Sequence, residues 1–182
     1  MSKTILYIAT SLDGFIADAQ DGLGWLHPFE DVDYGYAEFA AGIGAIVAGR
    51  RTYEMVAQMD CPWPYAVPML VLSHQLAQQP PATLPEGAEL IFLAGEVQGA
   101  IDQARQLTTK DIWINGGAKV AQEFLRQGLV DEIVLSIIPL ILGGGIHLFG
   151  SLGRSINLIL KNSQTFEKGL LQLTYNVQNI QN

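Results

Sequence analysis

The sequence has little of the features that would point to disulfides, nucleic acid or membranes. Its only cysteine, Cys61, excludes an intrachain disulfide and a thiolate metal cluster, and we expect it to be inert packing. The net charge is −8 without any block of Lys or Arg, so neither nucleic acid nor an anionic membrane is expected as main partner. The longest apolar run, residues 133–142, is about half a membrane span. Since the first residues are too short and strand-like for a signal peptide, we expect a cytoplasmic protein.

Familiar catalytic and metal-binding motifs are also missing. There is no H-E-x-x-H, no G-x-S-x-G and no Walker loop. The three histidines, His27, His74 and His147, are far apart and lack ligand spacing, so we expect no metal site. The length of 182 residues with 49% hydrophobic residues predicts one domain spanning residues 1–182 with a full core.

The pattern of apolar segments predicts an α/β fold. Strands alternate with helices, which favours a mostly parallel sheet, and two closing strands joined by a tight turn add an antiparallel hairpin. Strands are predicted at 4–10, 43–48, 69–72, 89–93, 111–114, 132–138, 157–166 and 170–178, and helices at 31–41, 52–59, 96–107 and 118–127.

Three predicted strands are followed at once by polar junctions. Glycine lets a ligand approach the backbone, and the first N–H groups of a helix have no partner within it, so such a junction can hold a phosphate. Taken alone, each junction is also compatible with a tight turn or a solvated helix start. Together at the carboxyl edge of a parallel sheet they indicate a nucleotide site. They are Gly49-Arg50-Arg51-Thr52, Ser73-His74-Gln75 and Gly116-Gly117-Ala118-Lys119.

A glycine-rich loop, residues 18–24, precedes Trp25. Long loops that carry an aromatic residue often close over a substrate. This loop is predicted either to be such a lid or only to cross the surface.

The sequence resembles proteins of the dihydrofolate reductase-like fold, and within it the riboflavin-biosynthesis reductase (RibD C-terminal) family. The resemblance covers nearly the whole chain, and it implies a central sheet of about eight strands with helices on both faces. The pieces that carry it stand in the order of the family: Ser11-Leu12-Asp13-Gly14-Phe15-Ile16-Ala17, Gly49-Arg50-Arg51-Thr52-Tyr53-Glu54, Val71-Leu72-Ser73, Ile114-Asn115-Gly116-Gly117 and Pro139-Leu140-Ile141-Leu142-Gly143-Gly144-Gly145.

This resemblance implies NADPH as the cofactor. Two arginines suit a 2′-phosphate, so NADPH is favoured over NADH. By analogy with dihydrofolate reductases, we predict that the Gly116-Gly117 peptide is cis. The implied residues are Gly49, Arg50, Arg51, Thr52, Ser73 and His74 on the adenosine side, Gly116, Gly117, Ala118, Lys119 and Val120 on the pyrophosphate and nicotinamide side, and Ala9 and Ile16 beside the nicotinamide.

The resemblance also implies a substrate side with a catalytic and orienting carboxylate; Asp33 lies at the matching distance before Gly49, with Asp31 and Glu30 close by. Trp25 is expected to cover the substrate, and Ser136 is expected at a strand end facing the same cleft. Asp33 could instead only cap a helix. Folate is disfavoured, because residues 65–69 contain no cation that could grip a glutamate tail.

The expected function is therefore NADPH-dependent hydride transfer to a small pteridine-like or pyrimidine-like heterocycle. The zinc deaminase signature that often precedes riboflavin-pathway reductases is missing, which indicates a stand-alone member. A nucleotide-binding sensor or partner module without turnover remains the alternative, since fold does not establish function. The family resemblance implies a homodimer, with apolar residues of segment 138–149 as candidate contacts.

Overall fold

The computed structural model describes residues 2–178 and is built on one eight-stranded sheet. Strand order is β5-β4-β3-β6-β1-β7-β10-β9; β10 and β9 are antiparallel to their neighbours, and the other adjacent pairs are parallel. These strands are β1 Thr4–Ser11, β3 Ile43–Gly49, β4 Met69–Leu72, β5 Leu90–Leu93, β6 Asp111–Gly116, β7 Glu132–Ile138, β9 Asn157–Thr165 and β10 Leu171–Gln178. A small antiparallel pair joins β2 Phe15–Ala17 to β8 Ile146–His147.

Helices cover both faces of the parallel part of the sheet. The central strands are apolar on both faces, as a sheet between two helical layers requires. One core contains Leu6, Val47 and Ile114 against α4 and α5, and the other contains Ile5, Ile46 and Trp113 against α1, α2 and α3. The predicted fold class is confirmed. The helices are α1 Tyr36–Gly42, α2 Arg50–Ala57, α3 His74–Gln78, α4 Val97–Leu107 and α5 Ala118–Arg126.

The first helix is shorter than predicted, and this moves Asp33 out of it. A 3₁₀ helix, Gly24–Phe29, comes first, and α1 begins only at Tyr36. Between them Gly35 has φ +78°, and its amide donates to the Asp33 carboxylate at 3.0 Å. A local side-chain hydrogen bond of this kind competes with helix formation, so the apolar spacing of 31–41 was a misleading signal. Ala37, within this segment, is exposed.

The outer strands differ most from the centre. All nine residues of β9 are exposed, and no described strand pairs with its outer edge. None of the described helices combines the length and apolar composition needed to cross a membrane.

Candidate cofactor and substrate site

The three polar junctions meet at one edge of the sheet. They follow β4, β3 and β6, which are adjacent and parallel, so their carboxyl ends lie side by side. An added Cβ on Gly49 would lie 3.0 Å from Val120 Cγ2 and 3.8 Å from the Gly116 oxygen, and one on Gly117 would lie 3.5 Å from Thr52 Oγ1. The Gly49 and Gly116 junctions are therefore in direct contact, as their sequence patterns predicted.

Glycine caps the two longer helices at this edge. Gly49 is the N-cap of α2 and Gly117 is the N-cap of α5, and neither helix receives a side-chain cap. The first-turn N–H groups thus keep their donor capacity for another acceptor. The Gly116-Gly117 peptide is cis, which confirms that prediction.

Two exposed arginines begin α2, and each already contacts a neighbouring element. Arg50 Nη1 donates to Gln75 Oε1 at 3.1 Å, which links this junction to the start of α3. Arg51 Nη1 lies 3.2 Å from Asp21 Oδ2, in the loop after β2. The Arg50 and Arg51 side chains are 43% and 73% exposed, and ion pairs of exposed side chains contribute little and exchange readily for a better anion.

The junction after β4 ends in a short helix that the sequence pattern did not predict. Ser73 Oγ accepts a hydrogen bond from the Leu76 amide at 3.1 Å, so Ser73 is the N-cap of α3. His74 follows it and is exposed. An N-capping serine before an apolar position was the available signal for this helix.

An open cavity of about 310 Å³ continues from these junctions between α4 and α5. Leu72, Gly95, Lys119 and Val120 line it, so two predicted cofactor residues contribute to its wall. Ala118 is buried at the first position of α5.

The end of β1 approaches the same edge from the other side. A Cβ on Gly116 would lie 3.4 Å from Ile8 Cδ1, one residue before Ala9. Ile16, on β2, packs partly buried against the core. Ala9 therefore lies next to the residue of β1 that contacts Gly116, and Ile16 lies on β2, which contacts β1.

The loop after β2 is a folded turn. The Asp18 carboxylate accepts hydrogen bonds from the amides of Gln20 at 2.8 Å and Gly22 at 2.7 Å. Trp25 is half-buried in the following 3₁₀ helix, and its indole nitrogen is buried without a hydrogen-bond partner among the described residues. Trp25 is not part of the groove wall beside Asp33, so the structure does not bring these two predicted substrate residues together there.

A second cavity, a groove of about 570 Å³, lies beside Asp33 on the face of the sheet opposite α4 and α5. Asp33 is exposed in its wall, in the turn before α1 rather than on the helix. The prediction for Ser136 is wrong in its position: it is 3% exposed in the middle of β7. Its hydroxyl accepts from Gln172 Nε2 at 3.2 Å, and Gln172 itself lines the groove. Ser136 therefore reaches the groove through Gln172, because β10 supplies the side chain between them.

Aromatic side chains surround the inner end of the groove. Tyr7 and Phe39 stack with ring centroids 4.1 Å apart, and Trp113 meets both rings edge-on. Burial raises the pKa of Tyr7, which a hydrogen bond from Gln172 only partly opposes. The Tyr7 phenol is therefore neutral at physiological pH.

A second polar pair, Asn115 and Tyr65, lies beside the Gly116 junction. Asn115 Nδ2 donates to the Tyr65 hydroxyl at 2.8 Å. Burial raises the pKa of Tyr65 to about 12, although this hydrogen bond acts in the opposite direction. The sequence patterns did not single out Tyr7, Asn115 and Gln172 as site residues; the available signal was a polar group within an otherwise apolar strand.

Two further predictions concern Cys61 and metal binding. Cys61 is exposed, so its prediction as a packed residue is wrong. No group of three His, Cys, Asp or Glu side chains within residues 2–178 is placed to share a metal ion.

Comparison with known proteins identifies the fold and the family. A Bacillus subtilis (strain 168) protein, the uncharacterized YwjB, is 33% identical over 174 residues, which cover 95% of this chain and 97% of that protein. A crystal structure from Shewanella sp. PV-4, provisionally named a riboflavin biosynthesis protein, matches with TM-score 0.81 and 34% identity over 97% of this chain and 99% of that one. Dihydrofolate reductase from Enterococcus faecalis, in complex with NADP(H), matches at TM-score 0.63 and 16% identity over 97% of both chains.

The architecture is that of the dihydrofolate reductase-like class. The sequence matches the RibD C-terminal domain over residues 2–172. The chain belongs to this reductase-like family, as its motifs predicted.

Proposed function

We propose that the protein is a cytoplasmic, NADPH-dependent oxidoreductase that transfers hydride to a small pteridine-like or pyrimidine-like heterocycle. The observation that carries the proposal is the meeting of two glycine-capped helices, α2 and α5, at the carboxyl edge of the sheet. Their unpaired first-turn amides and two adjacent guanidiniums are the donor set that phosphate groups require. The names of the relatives support the same class, since the Enterococcus enzyme was solved with NADP(H).

The residues of this edge fit a dinucleotide. Arg50 and Arg51 would hold the 2′-phosphate, with Ser73 and His74 beside the adenosine. Gly49 and Thr52 contact the Gly116-Gly117 junction. A side chain added to Gly49 or Gly117 would fill the space between these backbone segments. The amides from Gly117 to Val120 would hold the pyrophosphate, and Lys119 adds a positive charge. Bound NADPH supplies the hydride, which is chemistry the side chains themselves lack.

The groove beside Asp33 would hold the acceptor. The Asp33 carboxylate can accept hydrogen bonds from the N–H edge of a heterocycle. Tyr7 and Phe39 offer an apolar surface at the inner end of the groove. The contribution of the protein is orientation and exclusion of water. Where the acceptor needs a proton, Asp33 is the candidate donor, directly or through a water molecule.

A thermal-shift titration with NADPH and NADH tests the cofactor. A ligand at 100 times its Kd stabilises a protein by about 2.7 kcal/mol. For a chain of this length that corresponds to a rise in Tm of roughly 5–10 °C. We expect this rise with NADPH and a much smaller one with NADH at the same concentration. If neither changes Tm, the proposal fails at its first step.

The two arginines are tested by Arg50→Gln and Arg51→Gln. Loss of a hydrogen bond to a charged group costs about 1.5–3 kcal/mol, so the Kd for NADPH should rise roughly 10- to 100-fold for each change. Binding of NADH should hardly change, since it lacks the 2′-phosphate. Arg105→Gln, an exposed arginine in the last turn of α4, is the matched control. Equal NADPH affinity in all three variants would contradict the assignment.

Asp33→Ala should abolish turnover of a confirmed substrate and leave NADPH binding intact. Glu30→Ala removes a nearby exposed carboxylate outside the groove and should retain activity. Full activity of Asp33→Ala would remove its catalytic role. Tight NADPH binding without turnover of any heterocycle in a broad screen would favour a nucleotide sensor instead.

A further inference from the structure

The groove beside Asp33 is wider than a single heterocycle needs, because it crosses the sheet from β1 to β9. Tyr7 lies at one end, and Asn162 and Gln164 of β9 lie at the other. With a volume of about 570 Å³, the groove has room for a heterocycle and a substituent. The outer part of the groove therefore determines which substituents the substrate can carry.

Four uncharged polar side chains line this outer part beside Lys161 and Phe166. Gln172 lies directly opposite Gln164, and Thr174 lies directly opposite Asn162, in the register of β10 with β9. Side chains opposite each other on neighbouring strands are close enough to act on one ligand. The hydrogen bonds of Gln172 to Ser136, Tyr7 and Tyr34 all use Nε2, which leaves its carbonyl oxygen as an acceptor. Amide and hydroxyl groups in such a row suit a chain of hydroxyl or amide groups.

The charges of the groove oppose an anion. Its wall contains three carboxylates, Asp33, Glu38 and Glu132, against one cation, Lys161. Lys161 is already engaged, since its ammonium lies 2.8 Å from the Glu132 carboxylate, which Lys3 also contacts at 3.2 Å. The pKa of Glu132 is lowered, because hydrogen bonds from these lysines outweigh the opposing effect of burial. The carboxylate therefore stays ionised at neutral pH.

Apart from Lys161 and Lys3, which share Glu132, no Lys or Arg within residues 2–178 contacts these three carboxylates. All ten Lys and Arg residues of the sequence fall within residues 2–178, and Lys161 is the only one of them in the groove wall. Lys168 contacts the Asp31 carboxylate and the Pro28 oxygen. Glu38, in the first turn of α1, puts a negative charge where the helix would otherwise favour an anion.

We propose that the substrate of this groove carries no phosphate: it is a neutral or cationic heterocycle with an uncharged, hydroxyl- or amide-bearing substituent along Gln172 and Gln164. This inference rests on the proposed reductase function for its heterocycle. The substituent class follows from the groove alone. A phosphate ester on the substituent would lie among carboxylates without a free cation, which selects against it.

Two matched pairs of probes test the inference by calorimetry on the NADPH-loaded protein. They are neopterin with its 3′-phosphate and 5-amino-6-ribitylaminouracil with its 5′-phosphate. For at least one pair we expect the unphosphorylated member to bind ten-fold or more tightly than its ester. The difference should shrink as salt is added, because salt screens repulsion between charges. Equal or tighter binding of the phosphate esters would overturn the inference.

Gln164→Lys puts a free cation in the groove and should reduce or reverse the preference. Ser163→Lys is the matched control: it adds the same charge one residue away, on the opposite face of exposed strand β9. The control should keep the wild-type preference. An unchanged preference in Gln164→Lys, or the same change in both variants, would also overturn the inference.

Binding of NADPH and binding of the probes separate failure of the substituent assignment from failure of the reductase proposal. If NADPH binds but no probe does, the groove does not take such substituents, and the inference is wrong while the cofactor assignment stands. If NADPH does not bind, the reductase proposal fails. Binding of the probe pairs to the protein alone then still decides whether phosphate is disfavoured.

Discussion

Three consecutive glycines before β8, Gly143, Gly144 and Gly145, offer a graded test of how closely this connection packs. An added Cβ on Gly145 would lie only 2.1 Å from the Ala17 carbonyl oxygen, at the end of β2. Added to Gly143 or Gly144, it would meet nothing within 4 Å. Gly145 and Gly143 have φ of +139° and +72°, which disfavour a side chain, whereas Gly144 has no positive φ. The three alanine substitutions therefore separate backbone strain from steric conflict.

The expected costs follow from these two causes. Gly144→Ala should be neutral or raise the free energy of unfolding by up to about 1 kcal/mol, because alanine restricts the unfolded chain. Gly143→Ala should lower it by about 1–2 kcal/mol through the positive φ. Gly145→Ala adds a forced separation of backbone segments, so the loss should reach about 2–5 kcal/mol. In Tm this corresponds to a fall of roughly 5–20 °C for Gly145→Ala.

Urea unfolding followed by circular dichroism measures these differences, with a thermal scan as a second probe. The slope with urea should stay constant across the series, since the surface exposed on unfolding hardly changes. The decisive result is the order of stability, with Gly144→Ala highest and Gly145→Ala lowest. If Gly145→Ala is as stable as Gly143→Ala, the contact between Gly145 and Ala17 is wrong.

Two further predictions concern charge and assembly. The pKa of Glu132 is lowered in the folded state, so its contribution to stability is present above the ordinary glutamate pKa of about 4.3 and is lost as pH falls through its folded pKa. In urea unfolding measured at a series of pH values, Glu132→Gln should reduce the change in the free energy of unfolding over this acid range. An unchanged dependence on pH would contradict this. We also propose that a second copy of the chain covers β9, because Leu158, Ile159 and Leu160 are 41%, 50% and 53% exposed on a strand whose outer edge no described strand pairs. Leu160→Lys should then shift the mass in light scattering from dimer to monomer, and a monomeric wild-type protein at micromolar concentration would disprove it.

Patterns local in sequence predicted the parallel centre of the fold. Strand β4 and strand β7 have the bounds predicted for them, and β1 differs by one residue. Buried parallel strands are continuous apolar runs, and serine, proline or glycine stands at their ends, so both their type and their ends are visible in the chain. Gly49 and Gly117 mark two of the junctions in this way, and the structure brings these junctions into contact.

Local patterns failed where a tertiary contact or a short polar side chain decided the conformation. Asp33 is predicted on a helix, but its carboxylate accepts a hydrogen bond from the Gly35 amide, and α1 begins only at Tyr36. Ser136 was expected at a strand end, and only the pairing of β7 with β10 determines that it meets Gln172. The predicted dimer contacts lie in segment 138–149, where Ile141 is 68% exposed, but the longer exposed apolar run is on β9.

The sequence by itself determined the class of fold, the family and the residues of the three junctions, because all of these depend on the order of strands, glycines and helix starts along the chain. Only the tertiary structure decided what the groove beside Asp33 contains. Its walls come from β1, β7, β9 and β10 and from α1 with the segment before it, which are far apart in the sequence. Its charge depends on Lys161 meeting Glu132 across the sheet, a pairing between residues 29 positions apart. Strand register sets which side chains share a face, and register is a property of the folded sheet.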